Sequence, residues 1–576
     1  MIKTLLLCSA ILLSATSSSV AQASPQTSTA REFNKLVDEY FDAFFKFNPS
    51  QGTAAGFHQY DDQLEDPSQA GISAEIASIK EFQKRFDGVN AQQLSAEEAS
   101  DLELVKSDMN ARLLKLQEVR QWEKNPDIYS SGLTASVYLI MARNFAPQPE
   151  RLKSVIAREK QMGRVLAAAR KNLKDPPRVY TEVALEQLPG IVGFFQKDVP
   201  EAFNQVKDPK LLAEFKASNG AVIEGLKRYE NFVREDLLPN SSGDFRIGAE
   251  NYRKKLLYEE MVDIPLERLL QIGYDDLHRN QQAFKEVAAK IDPKRTPQQI
   301  LEELEKDHPA PNKLLPTFRS VLGGMRDYID THHIVTLPSQ RPPIVEETPP
   351  FARALTSASM DTPGPFEKVA KEAFFNVTSP EPSWPPKKVQ SWMEGFNRGT
   401  IISTAVHEVY PGHYVQFLWL YDAPSKVRKL IGAGSNAEGW AHYCEQMMLD
   451  EGYGNNDPKL RIGQLQDALL RDARFIAGIE MHTGKMTLEQ ATNFFVKEGY
   501  QTEAVSEREA KRGTSDPTYL VYTLGKLEIM KLRADYKAKM GDKFSLQQFH
   551  DEFLRQGFPP IKIIRKAMLG NDSPVL

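Results

Sequence analysis

The chain has 576 residues, 41% of them hydrophobic and 26% charged, with 72 Lys and Arg against 77 Asp and Glu and only two cysteines. Those proportions belong to a globular protein and exclude wholesale disorder. A formal net charge of −5 excludes the basic excess of a phosphate-backbone binder, so no nucleic-acid partner is expected, and two cysteines cannot build a disulfide scaffold.

In chain order, the first predicted element is a leader. Lys3 is followed by an apolar run over 4–15 and by Ala21-Gln22-Ala23, a small-x-small cleavage signature that makes 1–23 a signal peptide and Ser24 the mature start. An exported protein, periplasmic or extracellular, is therefore expected. The apolar run is too short to cross about 30 Å of hydrocarbon, and no later segment offers the run of about 18 apolar residues that a spanning helix needs. Cleavage removes Cys8 and leaves Cys444 alone, so no intramolecular disulfide is expected.

From 29 to about 332 the pattern predicts helix after helix. Phe33, Leu36, Val37, Tyr40, Phe41, Phe44 and Phe45 recur at helical spacing, and similar stripes run through 96–122, 149–173, 178–195, 210–238 and 266–291. Between 333 and 388 prolines crowd the chain, interleaved with Ile334-Val335-Thr336 and Phe374-Phe375-Asn376-Val377. Proline breaks helices and sits at strand edges, which predicts a small irregular sheet between two helical parts; a linker between separate domains is the alternative. Helices are predicted again over 389–410, 413–421, 436–450, 458–482, 487–500, 516–538 and 545–554, with no internal repeat.

The chemistry concentrates in one stretch of this last part, where His407, His413, His442 and His482 fall, four of the ten histidines. His407-Glu408 followed by a second histidine has the elements of a zinc-peptidase site, in which two His at i and i+4 share one helical face. Here the second histidine comes six residues later. On an uninterrupted helix six residues rotate about 600°, leaving the rings about 120° apart. Pro411-Gly412 breaks helices, so a bulge at 409–412 that returns His413 to His407 is expected. Catalytic zinc takes three protein ligands and keeps one position open, and the third is Glu438 or, as the rival, His442. Glu438, His442 and Glu445 share a helical face, which lets Glu445 orient a ligand histidine by accepting its second ring N–H. Glu408 is the expected general base toward a metal-activated water, with one Zn2+ per chain. Arg471, Arg474 and Lys526 bind a peptide carboxylate if they face the site, or else make ion pairs. His482 either donates near the reacting carbonyl or caps its helix. The glycine-rich 432–435 segment is read as a mobile wall of the site, and Cys444 as a packing residue.

The string His407-Glu-x-x-Pro411-Gly412-His413-x-x-Gln416, with Glu438-Gly439-Trp440-Ala441 after it, resembles the bacterial domain-of-unknown-function family 885. Asn48-Pro49, Gly56-Phe-His58-Gln-Tyr60-Asp61, Ile247-Gly248-Ala-Glu-Asn-Tyr252 and Tyr522-Thr-Leu-Gly525-Lys526 extend the likeness over nearly the whole mature chain. That family is similar to the gluzincin metallopeptidases, and in plan to the helical group of angiotensin-converting enzyme and thimet oligopeptidase. The resemblance implies a mainly α, two-lobed domain over 24–576. Its helical parts, about 29–332 and 389–576, would surround a deep cleft, with the small sheet of 333–388 near the active site. It also implies a sheet edge within 351–378 that pairs with substrate backbone. Tyr522 takes the place of the tyrosine that stabilises the oxyanion, a core tyrosine being the alternative. The expected function is an exported zinc peptidase acting on short peptides. A catalytically inactive peptide-binding protein, or an amidohydrolase for a non-peptide or cell-wall amide, would use the same residues. Neither oligomeric state nor side-chain specificity is legible.

Overall fold

A computed structural model describes residues 28–349, 353 and 356–576, so the leader expected over 1–23 lies outside the described residues. The described chain is mainly helical with one three-stranded sheet. None of its helices is long and apolar enough to cross a membrane.

The first helix, Ser28–Phe47, buries Phe33, Leu36, Val37, Tyr40, Phe41, Phe44 and Phe45 as its stripe demands. The expected 96–122 helix is Ala96–Leu113, opened by a Ser95/Glu98 capping box, followed by a π-turn and ended at Arg120 with φ 52°. Leu266–Ile291 has the expected bounds. Strands β1 (Ile344–Glu347), β2 (Ala358–Asp361) and β3 (Phe374–Val377) lie in the order β1-β3-β2. β1 runs parallel and β2 antiparallel to β3, with Val345 and Met360 both opposite Phe375. Phe375 is buried against Phe318, which fixes the sheet to the helix Leu314–Thr331. β2 is left as an edge.

Three expectations in the C-terminal part need correcting. The continuous 389–410 helix is two helices, Pro386–Glu394 and Arg398–Glu408. The side chain of Asn397 between them accepts the N–H groups of Gly399 and Thr400, which starts the second helix afresh. Glu503–Ser515 is a helix that the hydrophobic pattern did not disclose, because its buried residues are Ser506, Glu509, Ala510, Gly513 and Thr514, not an apolar stripe. Ile561–Leu569 is a further helix, too short for periodicity to separate from its surroundings.

Two glycine contacts set the spacing of the helices that carry the site. A Cβ on Gly439 would lie 2.5 Å from the Cα of Gly525, so Gly434–Asp450 and Val521–Met540 cross backbone to backbone. A Cβ on Gly463 would lie 2.5 Å from the carbonyl carbon of Gly399, which brings Arg398–Glu408 equally close to Pro458–His482.

From the last residue of β2 onward the chain is clasped to the N-terminal part. Asp361 pairs with Arg143, the Phe366 N–H donates to the Ala55 carbonyl (2.9 Å), and Phe57 stacks on Phe366. His58 lies between Asp61 (Nδ1 to Oδ2, 3.0 Å) and Glu367 (Nε2 to Oε2, 2.8 Å). The hydrogen bond to Asp61 and the contact with Glu367 outweigh partial burial and raise the His58 pKa above its ordinary 6.5. A raised folded-state pKa contributes stability that is fully present below the unfolded value and is lost as pH rises through the folded one. Wild type should therefore gain stability over His58→Gln as pH falls from 8 to 6, measured as urea midpoints of both proteins across that range. A constant difference between the two would show that the clasp does not titrate.

Candidate metal centre

His407 ends the helix Arg398–Glu408, and His413 begins the next, His413–Leu420. Between them Val409 leaves helical geometry, the Tyr410–Pro411 peptide is cis, and Gly412 has φ −68° and ψ −133°. The Gly412 N–H turns back to the Val406 carbonyl (3.0 Å), so tightly that a Cβ there would lie 1.9 Å from the His407 carbonyl oxygen. Glycine at 412 is thus a steric requirement of the break. The break returns the second histidine to the first, and the two rings stand 4.8 Å apart at 85°.

Glu438 approaches from the first turns of Gly434–Asp450. The start of that helix is not a mobile wall, as the glycine-rich sequence suggested. The Gly434 and Ser435 N–H groups both donate to the buried Glu260 carboxylate (3.1 and 2.9 Å), which caps the helix from a distant part of the chain. Glu438 Oε2 lies 3.4 Å from His407 Nε2 and 3.4 Å from His413 Nε2. Ligand atoms of the three residues all fall within 4.8 Å of one another. Two ligands held at about 2.0–2.2 Å from one tetrahedral zinc stand about 3.3–3.5 Å apart, so the Glu438 separations suit such an ion. The electrostatics suit it too. Burial opposes ionisation of Glu438, yet His407 and His413 hold its carboxyl well below the usual range. Burial likewise opposes charge on His407, but contact with Glu438 and Glu445 raises its pKa to about 10. These three residues are built around positive charge.

Behind them Glu445 is fully engaged. Its Oε1 accepts from His407 Nδ1 (2.7 Å) and pairs with Arg471 (2.9 Å), while Oε2 meets His442 Nδ1 (3.0 Å). His442, the rival third ligand, is completely buried behind Glu445 and does not join the cluster. Burial lowers its pKa to about 4 and keeps the ring neutral. The Arg471 guanidinium, with His442 and His407, overcomes burial and holds Glu445 well below the carboxylate range. An ionised Glu445 accepting from Nδ1 fixes the Nδ1–H form of His407, so that Nε2, once it gives up its proton, offers its lone pair toward Glu438 and His413.

A cavity of about 1050 Å3 opens over the cluster. His407, Glu408, His413, Glu438, Arg471, Arg474 and Tyr522 all line it. The Glu408 carboxylate has no hydrogen bond or ion pair among the described residues. The Tyr522 ring stacks 6.4 Å from that of His407, and its hydroxyl accepts from Arg512 (3.2 Å). Burial, reinforced by Glu438, raises the Tyr522 pKa, so the phenol stays protonated and able to donate. Residues 356–360, running into the β2 edge, form another wall.

The remaining expected substrate groups are placed differently. Arg471 and Arg474 face the cavity, but Arg471 is held by Glu445 and Arg474 is bidentate to Glu509 (2.7 and 3.0 Å). Lys526 is absent from the lining and lies buried on Asp276 at 2.8 Å. It sits one helical turn, about 6 Å, beyond Tyr522 and behind the Glu438 helix. His482 is about 12 Å along its helix from Arg474. It is buried there on the Gly513 carbonyl (2.8 Å) and also lies outside the lining. Cys444 is buried and free, a packing residue.

Two solved structures share the fold. One, from Shewanella oneidensis and described as a lipoprotein of unknown function, is 27% identical with a TM-score of 0.78, the match covering 93% of this chain and 99% of that one. The other, a protein from Colwellia psychrerythraea also described as a lipoprotein, is 18% identical with a TM-score of 0.80, over 94% of this chain and 99% of that one. No curated protein matches the chain. The model of one family matches residues 49–568, spanning the His407–His413 break, Glu438 and Tyr522, and the chain belongs to that family, described as bacterial protein of unknown function (DUF885).

Proposed function

We propose that the protein is an exported zinc peptidase that hydrolyses peptide bonds in short peptides, on a two-lobed scaffold like that of the helical gluzincins. The observation that carries this reading is the convergence of His407, His413 and Glu438, with two separations of 3.4 Å, in a cavity that also receives the unpartnered Glu408. His407, His413 and Glu438 would hold the ion, and three ligands leave one position open. A bound zinc supplies Lewis acidity and brings the pKa of its water to about 7. Glu408 is the base that receives the water's proton and passes it to the departing amine. Tyr522, kept neutral by burial, donates its hydroxyl proton in a hydrogen bond to the developing oxyanion. The β2 edge offers unpaired backbone groups to an extended peptide. Export accords with the leader expected over 1–23 and with the lipoprotein description of the Shewanella oneidensis relative.

The purified mature chain should contain one zinc per molecule by elemental analysis. It should cleave short peptides, lose that activity to a chelator and recover it with added zinc. A chain that takes up no stoichiometric zinc, or cleaves peptides equally well after chelation, sinks the reading.

A further inference from the structure

One wall of the cavity belongs to the helix Glu503–Ser515, with Glu509 and Thr514 on its buried side and Ala504, Glu507, Arg508, Lys511, Arg512 and Ser515 along its more exposed side. The six exposed-side positions recur at i, i+3, i+4, i+7, i+8 and i+11, one stripe of a helix, mostly charged where a core-facing stripe would be apolar. The cations on this wall differ in how they are occupied. Lys511 pairs with Glu186, which also lines the cavity (3.2 Å). Arg512 makes one exposed pair with Asp516 (3.2 Å) and one hydrogen bond to the Tyr522 hydroxyl (3.2 Å), leaving most of its donors open. Arg508 is exposed and has no hydrogen bond or ion pair among the described residues. Arg471 and Arg474, by contrast, are already held by the buried carboxylates Glu445 and Glu509.

The geometry points to a carboxylate subsite in which Arg508 and Arg512 receive the free α-carboxylate of a short peptide. The inference rests on the peptidase reading and names its substrate class. Planar guanidinium groups one helical turn apart match a carboxylate held by paired N–H donors. Glu507 on the same face, and Glu186 opposite, reduce the local positive charge, which favours a compact monoanion over a phosphate dianion. The site also fixes a distance. The Arg512 guanidinium carbon is 6.0 Å from the centre of the Tyr522 ring, which is 6.4 Å from that of His407. An extended chain covers that span with only a few residues at about 3.3–3.6 Å each. A peptide anchored by its carboxylate therefore presents a bond close to its C-terminus, and the products are short C-terminal fragments.

The test uses the mature chain carrying Glu408→Gln, with zinc added and again after chelation. Calorimetry measures binding of one N-acetylated tripeptide as its free acid and as its C-terminal amide, and of an amidated version with an aspartate side chain. The acid should bind about tenfold more tightly than the amide, as expected when charge-assisted hydrogen bonds to one carboxylate are gained. That ratio should fall to about one in Arg508→Gln/Arg512→Gln and largely persist in Arg508→Lys, with unfolding midpoints little changed because Arg508 has no partner to lose and the Arg512–Asp516 pair is an exposed one. Equal binding of acid and amide, no binding of either, or a ratio that survives the double substitution overturns the subsite. Capture of the aspartate-bearing amide as tightly as of the acid overturns the α-carboxylate assignment. Hydrolysis of the same peptides by wild type is read separately. Acid preference without hydrolysis counts against the peptidase reading alone, and hydrolysis without acid preference counts against the subsite alone.

Discussion

Glu408→Gln is expected to lower kcat for peptide hydrolysis by about 10²–10⁴-fold while leaving zinc content at one per chain, the range that removal of a positioned general base produces. The two halves of this expectation come from different observations. Retention of metal follows because Glu408 is not among the three residues whose ligand atoms converge within 4.8 Å. Loss of turnover follows because its carboxylate lines the same cavity as His407, His413 and Glu438 with no partner of its own, so it is free to accept a proton from an attacking water. The amide of Gln keeps the shape and cannot accept the proton. Single-turnover kinetics with elemental analysis of the same sample check both halves. Unchanged kcat would remove Glu408 from the chemistry, and lost zinc would make it a ligand.

The site was legible in the sequence wherever spacing alone dictates geometry. Helical phase puts Glu438 and Glu445 on one face, and in the described structure Glu438 lines the cavity with His407 and Glu408 while Glu445 stands behind, bonded to His407 Nδ1. The return of His413 required knowing the backbone of 409–412, which the Pro-Gly pair suggested, though only Gly412's approach to the His407 carbonyl makes it specific. Long-range partners were hidden. Glu260 caps the helix of Glu438 from far away in sequence, and nothing in its neighbourhood distinguishes it from the other surface-like acids of the N-terminal part. The helix Glu503–Ser515 was missed for a related physical reason. A helix whose buried face is small and polar and whose other side borders a polar cavity has no hydrophobic periodicity to detect, and the spacing of Arg508, Lys511 and Arg512 becomes informative only once the cavity is known. Lys526 shows the converse error. Helical phase put it on the face of Tyr522, but phase says nothing about depth, and one turn further along that face lies behind the ligand helix on Asp276.

Glu445→Gln should weaken zinc binding by about 10–100-fold, the usual cost of disturbing the partner of a ligand histidine. It should also destabilise the fold by about 3 kcal/mol, because breaking a buried ion pair leaves its partner uncompensated. The carboxylate now satisfies three groups: His407 Nδ1, His442 Nδ1 and Arg471. A carboxamide has one acceptor oxygen. Turned toward His407 and Arg471, it points its NH2 at a nitrogen of His442 that carries hydrogen when it donates to Glu445. Relief requires His442 to move its proton to Nε2, a buried nitrogen that has no partner. Turned the other way, the NH2 confronts both His407 and Arg471. In either orientation Arg471 retains only Asp467, at 3.5 Å, as a counter-ion. The stability and metal terms are therefore separable. Adding Arg471→Met to Glu445→Gln removes the stranded charge and should recover most of the lost stability, since replacing both members of a buried pair costs far less than removing one. Metal affinity should not recover, because the negative charge that orients His407 and raises its basicity is still missing. Denaturant titrations and competitive zinc titrations of wild type and the two variants decide it. Parallel recovery of both quantities would show that Glu445 acts on the metal centre through fold stability and not through His407.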